Sequence, residues 1–203
     1  MRTSRLEAFS DGVLAIIITI MVLELHAPEG DDWHALGGSA TGFLTYALSF
    51  VYVGIYWNNH HHMFQVCRHV DGSVMWANLH LLFWLSLYPF TTTWLDESGV
   101  ARDPAVAYGL NLLGAAVAYY VLQLRLFAQP ETGERLRTAL GRDLKGKGSP
   151  AIYLLGIALC FVEPWLGLVP FVAVALIWLV PDRRVERYLA REGEMVVHDV
   201  DAI

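Results

Sequence analysis

A chain of 203 residues with 55% hydrophobic and 12% aromatic side chains is more apolar than an ordinary soluble domain. Its formal net charge of −6 at pH 7 says little about partners, because the charges lie in the loops and tail, but the lack of a basic stripe interleaved with aromatic residues argues against strong binding to nucleic acid. Apolar runs of bilayer length recur along the chain, so we expect an integral membrane protein whose surroundings are the lipid bilayer.

The first apolar segment is predicted at about 6–25, where polar residues including Arg5 and Asp11 lead into an apolar run from Val13 to Leu23. Basic residues followed by an apolar run near the start of a chain are typical of either a retained transmembrane helix or a signal peptide. Asp11 interrupts the approach to the apolar run, and no small-residue cleavage site follows Leu25. The pattern favours a retained transmembrane helix.

Five further apolar segments follow, at about 40–64, 74–95, 104–127, 150–163 and 165–180. Pro89 is expected to kink the third segment, and Pro104 suits the first turn of the fourth. The last two segments, separated by Glu163 and Pro164, are predicted to form a tight helical hairpin. The fold class is therefore all-α, a polytopic membrane protein with six transmembrane helices in one domain over residues 1–203.

Two polar stretches complete this domain. Residues 129–149 are predicted to be a polar linker with one amphipathic turn at 134–140. The tail at 182–203 is charged, and we expect it to be helical to about Glu192. The sequence has no internal repeat, since the R-x-x-x-F-S-D pattern that begins at Arg5 occurs once.

The basic residues orient the six segments. Of the 14 Lys and Arg residues, all but Arg102 fall on one side of the predicted spans, which leaves 14 − 1 = 13 on that side. By the positive-inside rule that side is the cytoplasm. The prediction is a multi-pass protein of the plasma (inner) membrane with both termini cytoplasmic.

No pattern of catalytic residues is present in the sequence. It contains no G-x-S-x-G, no H-E-x-x-H and no phosphate-binding loop, so an enzyme is not expected. Cys67 and Cys160 are predicted at opposite membrane faces, which does not imply a disulfide framework.

The first helix carries two features that need an explanation. Ile16, Ile20 and Leu23 follow i, i+4, i+7 spacing and form one apolar stripe, which on residue pattern alone is typical of helix packing. Asp11 is costly inside a membrane-length helix, so we expect it to be held by Arg5 or by a donor on the second or third segment. A plain cytoplasmic helix start is the alternative, because anions are mildly favourable there.

A cluster of histidines raises the question of a metal site: His60, His61, His62 and His69. Three consecutive residues do not share a helix face, and no Cys or acidic residue completes a ligand set, so no metal site is predicted. We expect one of these histidines, together with Trp57, to pair with the Arg5–Asp11 region. His80, near Asn78 in the third segment, is the other candidate.

The start of the chain resembles a known family. Arg5, three further residues and then Phe9-Ser10-Asp11, followed by GVLAIIITIMVLEL, resemble the opening helix of the prokaryotic transmembrane-protein-175 family, relatives of the lysosomal potassium channel. The stretch SFVYVGIYWNNHHHMF is similar to the family's aromatic-histidine segment, and the third segment is similar at Asn78 and at Pro89-Phe90. Segments four to six match only in number and hydropathy.

The resemblance implies a homotetramer whose first helices line a central pore for potassium ions, with no cofactor. It places a hydrophobic constriction at Ile16, followed by Ile20 and Leu23, and a pore hydroxyl at Thr19. An oxygen-poor collar of this kind is expected to discriminate only modestly between potassium and sodium. The network that supports the pore helix would draw on the motif and its neighbours: Arg5, Phe9, Ser10, Asp11, Trp57, His61, Asn78 and His80.

Four acidic residues cluster at the outer end of the first segment: Glu24, Glu29, Asp31 and Asp32. Repeated four times around an axis, they would concentrate cations at an outer mouth. A plain solvated loop is the alternative explanation.

The sequence therefore favours a potassium-permeable cation channel over two other functions. A proton- or cation-coupled transporter could use Asp11, but such carriers usually show repeats and helices broken at mid-membrane. A non-transporting membrane scaffold is the other alternative.

Overall fold

The computed structural model describes residues 3–28, 30–67, 69–140 and 144–179, and helices make up most of these ranges. The all-α class is confirmed. In chain order the helices are α1 (Thr3–Leu23), α2 (Trp33–Gly38), α3 (Ala40–Gln65), α4 (Gly72–Ser86), α5 (Tyr88–Glu97), α6 (Arg102–Phe127), α7 (Pro130–Leu140), α8 (Leu144–Cys160) and α9 (Pro164–Leu179).

Three of these helices, α1, α3 and α6, are long and apolar enough to cross a membrane. They lie at the first, second and fourth predicted spans. α9 is apolar but shorter, with 16 residues, and α8 has 17. The chain is a multi-pass membrane protein, and the total of six crossings stays a prediction.

The third predicted span is divided into two helices. α4 ends at Ser86 and α5 begins at Tyr88, with Leu87 between them. Pro89 lies in the first turn of α5, where its missing N–H costs least, because the first turn of a helix has no partner for that group. The interruption lies where Pro89 was predicted to kink the segment.

The polar linker is more helical than the sequence indicated. α7 occupies Pro130–Leu140 in place of a single turn, and α8 begins at Leu144, ahead of the predicted start at about 150. Tertiary contact supports the added turns of α8, because Lys145 Nζ donates to the carbonyl oxygen of Ile177 on α9 at 3.2 Å. The short helix α2 was not predicted. The tail at 182–203 lies outside the described residues.

The centre of the subunit is formed by α6, which packs against α4, α5 and α8. Its Tyr108 belongs to a group of buried aromatic rings with Tyr52, Tyr88, Tyr153 and Phe171. The Tyr52 hydroxyl donates to the carbonyl oxygen of Phe171 at 2.6 Å, which joins α3 to α9. These contacts form the core on which the other helices are placed.

α1 lies against this core through α3, α4 and α5. The start of α4 is set by Asp71, whose carboxylate accepts from the Val74 N–H at 2.9 Å and from the Ser73 hydroxyl at 2.7 Å. These hydrogen bonds, the one from Val74 first, hold the pKa of Asp71 below its usual value. The cap defines the helix that presents Asn78 to α1.

Candidate functional site

α1 has two faces with different surroundings. One face is buried in the subunit and consists of Leu6, Ser10, Leu14, Ile17 and Met21. The other carries the predicted constriction, and it is free of contacts that would bury it: Ile16 is 59% exposed, Ile20 40% and Leu23 80%. Packing within the subunit therefore does not account for this stripe.

Thr19 lies on the free side of α1. Its hydroxyl donates to the carbonyl oxygen of Ile16 at 2.8 Å, which occupies the proton and leaves oxygen lone pairs available. The hydroxyl can therefore accept a hydrogen bond or contact a cation, one turn or less from Ile16 and Ile20.

A buried chain of hydrogen bonds joins α1 to α4 and α3. The Asn78 amide Nδ2 donates to Ser10 Oγ at 3.0 Å, and Asn78 Oδ1 lies 2.8 Å from His60 Nε2. Ser10 Oγ itself donates to the carbonyl oxygen of Leu6 at 2.9 Å. All three side chains are at least 98% buried, so the chain is shielded from solvent, and Asn78 is the member that joins the other two.

Asp11 is held from α3. Trp57 Nε1 donates to Asp11 Oδ1 at 3.0 Å, at an exposed position beside the buried chain. Arg5 is exposed, and among the described residues it forms no ion pair with Asp11. Of the two partners that the sequence allowed, the structure provides the donor on the second span.

A second contact between α1 and α3 lies one turn from this one. His61 Nδ1 is 3.7 Å from Glu7 Oε1, and the His61 ring stacks on Trp57 with a centroid separation of 6.2 Å. Gln65 Nε2 and His61 Nε2 are 2.8 Å apart, which positions the ring from its other side. Glu7 and Asp11, four residues apart, therefore meet His61 and Trp57, also four residues apart.

Two predicted network residues lie elsewhere. The His80 ring is exposed and accepts from Trp84 Nε1 at 3.1 Å within α4, so it does not contact Ser10 or Asp11. Phe9 is 53% exposed on the same side of α1 as Ile16. Its position adds an apolar ring to the free face and no contact to the network.

The sequence left open which histidine approaches α1, and it did not assign Glu7 to the network. His60 follows Tyr52 and Tyr56 at four-residue intervals, and all three are buried on α3. That interval was the available signal that His60, and not its neighbours, points into the subunit. Glu7 could have been found from its spacing to Asp11.

The outer acidic residues have different surroundings. Glu24 and Asp31 are exposed. Asp32 caps α2, because its Oδ1 accepts from the Ala35 N–H at 2.8 Å. Glu29 lies outside the described residues.

Within the described residues, no group of three or more His, Cys, Asp or Glu side chains could hold a metal ion. Cys67 and Cys160 are both free thiols. Burial raises the pKa of the Cys67 thiol, which lies in the loop after α3.

Comparison with known proteins extends the resemblance to nearly the whole chain. Residues 5–89 match the family described as "Endosomal/lysosomal potassium channel TMEM175". A potassium channel of Chryseobacterium sp. (strain P1-3) is 50% identical over 189 residues, which cover 93% of this chain and 98% of the relative. The chain belongs to the TMEM175 family.

Two further matches agree with this assignment. A potassium channel of Streptomyces collinus is 34% identical over 158 residues, 68% of this chain and 77% of the relative. The crystal structure of a lysosomal potassium-selective channel TMEM175 homolog from Chamaesiphon minutus superposes with a TM-score of 0.72 at 28% identity, covering 89% of this chain and 97% of that one. TMEM175 proteins are ion channels, so this member is a channel protein and not an enzyme.

Proposed function

We propose that four copies of this chain form a potassium-permeable, modestly selective cation channel in the plasma membrane, with both termini cytoplasmic and α1 lining the pore. The observation that carries the proposal is the free face of α1. Ile16, Ile20 and Leu23 are exposed although the opposite face of the same helix is packed in the core. In an assembly of four subunits this face would lie along the shared central axis, whereas in the isolated subunit it contacts no other helix closely enough to be buried.

The potassium channels among the relatives support the permeant ion, since the Chryseobacterium and Streptomyces proteins carry that name. The backbone carbonyls of α1 are used in the hydrogen bonds of the helix itself. α1 therefore has no ring of free carbonyl oxygens to bind a permeating ion. Four copies of Ile16 would instead form a narrow collar of branched side chains. Such a collar passes ions that keep part of their hydration, so discrimination between potassium and sodium is modest.

Two groups of polar residues suit the approaches to this collar. Thr19 would present hydroxyl oxygens next to Ile16, where a permeating ion exchanges water molecules. Glu24 and Asp31 would raise the cation concentration at the outer end. The Trp57–Asp11 and Asn78–Ser10 hydrogen bonds would fix the rotation of α1 that turns Ile16 toward the axis.

Replacement of Ile16 by Ala tests the proposal in purified protein reconstituted into liposomes. We expect faster potassium flux and a potassium-to-sodium ratio closer to one, because four shortened side chains widen the collar. Ile177→Ala on α9 is the matched control, since Ile177 is also exposed, at 42%, and loses the same atoms. Equal flux and equal selectivity in wild type and Ile16→Ala would reject the constriction.

The oligomeric state is tested separately. Native mass spectrometry of the purified protein should give an assembly of four chains of 22.7 kDa. A monomer that still conducts would reject the shared axis, and a tetramer with unchanged Ile16→Ala flux would reject only the position of the constriction.

A further inference from the structure

A cavity lies between α3, α6, α8 and α9, in the half of the bundle where α1 begins and α3 and α9 end. It is lined on the α3 side by Tyr56 and Asn59, and on the α6 side by Tyr119. Ser149 and Tyr153 of α8 and Trp178 of α9 complete the wall. The cavity is separate from the face of α1 that carries Ile16.

The walls combine aromatic rings with a few polar atoms. Tyr56 and Tyr119 meet edge to face with ring centroids 5.9 Å apart. Trp178 Nε1 donates to Ser149 Oγ at 2.9 Å, and Asn59 Nδ2 donates to the Ile55 carbonyl, which leaves the Asn59 side-chain oxygen as an acceptor. Faces and edges of this kind favour a flat aromatic guest.

Tyr56 contributes a hydroxyl group to the cavity wall. Tyr56 is only 8% exposed, and its hydroxyl forms no hydrogen bond with any other residue that the structure describes. Since Tyr56 lines the cavity, its hydroxyl is open to hydrogen bonding by whatever occupies that space. A guest in the cavity that carries one hydrogen-bonding group would supply a partner.

The size of the cavity limits the guest. The space open to the centres of water molecules is ≈ 40 Å³. At about 10–15 Å³ of such space per water molecule, this is room for about three waters, comparable to one aromatic ring. The cavity is too small for a lipid chain or a peptide.

Charge limits the guest further. The lining residues carry no charged side chain, so an anion would lose its hydration without compensation. The same lining offers no carboxylate to a cation, which would also lose its hydration without a counter-charge. A neutral guest avoids both costs.

We propose that this cavity is a binding site for a small neutral aromatic molecule with one hydrogen-bonding group, such as a phenol. The ring packs between Tyr119, Tyr153 and Trp178, and the polar group bonds to the Tyr56 hydroxyl or the Asn59 oxygen. The guest enters from outside the bundle beside Tyr120, a lining residue that is 39% exposed.

The site is placed to act on α1. Tyr56 and Asn59 alternate along α3 with Trp57 and His60, which hold α1 through Asp11 and the Asn78–Ser10 chain. A guest that bonds to Tyr56 or Asn59 contacts the same helical turn that sets the position of α1. Binding itself does not require that the proposed conduction be correct.

The test uses 4-fluorophenol and the purified full-length protein in detergent, observed by fluorine NMR. We expect the ligand signal to broaden and to sharpen again when unlabelled phenol is added, because one site is saturable. Broadening that rises in proportion to ligand and is not displaced by phenol would mean partition into detergent and would overturn the proposal.

Variants locate the site. In Ala116→Leu the larger side chain occupies the cavity, and we expect binding to weaken at least about tenfold, since an occupied core site cannot also hold a ring without overpacking. Ala151→Leu is the matched control, because Ala151 is exposed on α8 and is not a lining residue. Saturable binding that survives unchanged in a folded Ala116→Leu protein would place the site elsewhere.

Two further ligands test the chemical class. Wild type should prefer 4-fluorophenol to fluorobenzene by about three- to tenfold, the value of one hydrogen bond, and Tyr56→Phe should reduce this preference. A wild-type protein without the preference would overturn the role of the polar group. A cationic ring, 4-fluoro-N,N,N-trimethylanilinium, should not displace 4-fluorophenol, and displacement would overturn the neutral class.

Discussion

The two faces of α1 have nearly the same composition and opposite surroundings. Ile17 is 3% exposed and Ile16, the next residue back, is 59% exposed. Ser10 is fully buried in a hydrogen-bonded chain, and Asp11 beside it is exposed with a single bond from Trp57. In this helix, therefore, the direction of a side chain, and not its polarity, decides whether it packs α1 against the subunit or is free to line a pore.

The two faces are therefore expected to have different roles, one in stability and the other in conduction. Leu6, Leu14, Ile17 and Met21 fix α1 against α3, α4 and α5, so changes there should alter stability first. Side chains on the free face make few packing contacts within the subunit, so changes there should alter conduction before stability.

The largest effect is expected for Leu14→Ala on the packed face. Leu14 is 3% exposed, and the cavity left by its truncation should cost about 2–5 kcal/mol of the free energy of unfolding. Ile16→Ala, with a similar loss of atoms on the free face, should cost much less. Denaturant titration of both purified variants measures the difference, and equal losses would show that the free face is packed as tightly as the other.

A smaller loss is expected for Asn78→Leu. Removing the amide leaves the Ser10 and His60 side chains buried without their shared partner, at a cost of about 1–3 kcal/mol. Asn58→Leu is the control, because Asn58 on α3 forms no side-chain hydrogen bond with another described residue. If the two variants unfold at the same denaturant concentration, the buried chain does not stabilise the packed face.

The smallest change in stability is expected for Trp57→Phe, which keeps an aromatic ring and removes the Nε1 donor to Asp11. At this exposed position the loss should be about 1 kcal/mol or less. Asp11→Asn completes a double-mutant cycle. A coupling energy of zero in that cycle, measured by unfolding, would mean that the observed contact contributes nothing to holding α1.

The sequence grouped residues of three segments into one network, and the structure shows contacts among part of that group. The pairing of Trp57 with Asp11 and the association of Ser10 with Asn78 join residues that were expected in one network. Arg5 and His80 were expected there as well, but Arg5 does not pair with Asp11 and His80 turns toward Trp84 on its own helix. Spacing along one helix shows which residues share a face, and it does not show which neighbouring helix that face meets.

The helix boundaries show the same limit. Hydropathy placed α1, α3 and α6, whereas the interruption at Leu87 and the early start of α8 depend on contacts between segments. One of those contacts, the hydrogen bond from Lys145 to the Ile177 carbonyl, joins residues 32 positions apart. A hydropathy window that covers only neighbouring residues cannot detect such a pair.

The sequence by itself determined that this is an all-helical membrane protein of the TMEM175 family. In lipid the backbone must satisfy its own hydrogen bonds, so long apolar segments have one available structure, and the first-helix motif is specific enough to mark the family. Only the tertiary structure decided which face of α1 is packed and which is free. Lipid, protein interior and a hydrophobic constriction all accept Ile and Leu, so hydropathy is the same for each, and only the positions of the neighbouring helices distinguish them.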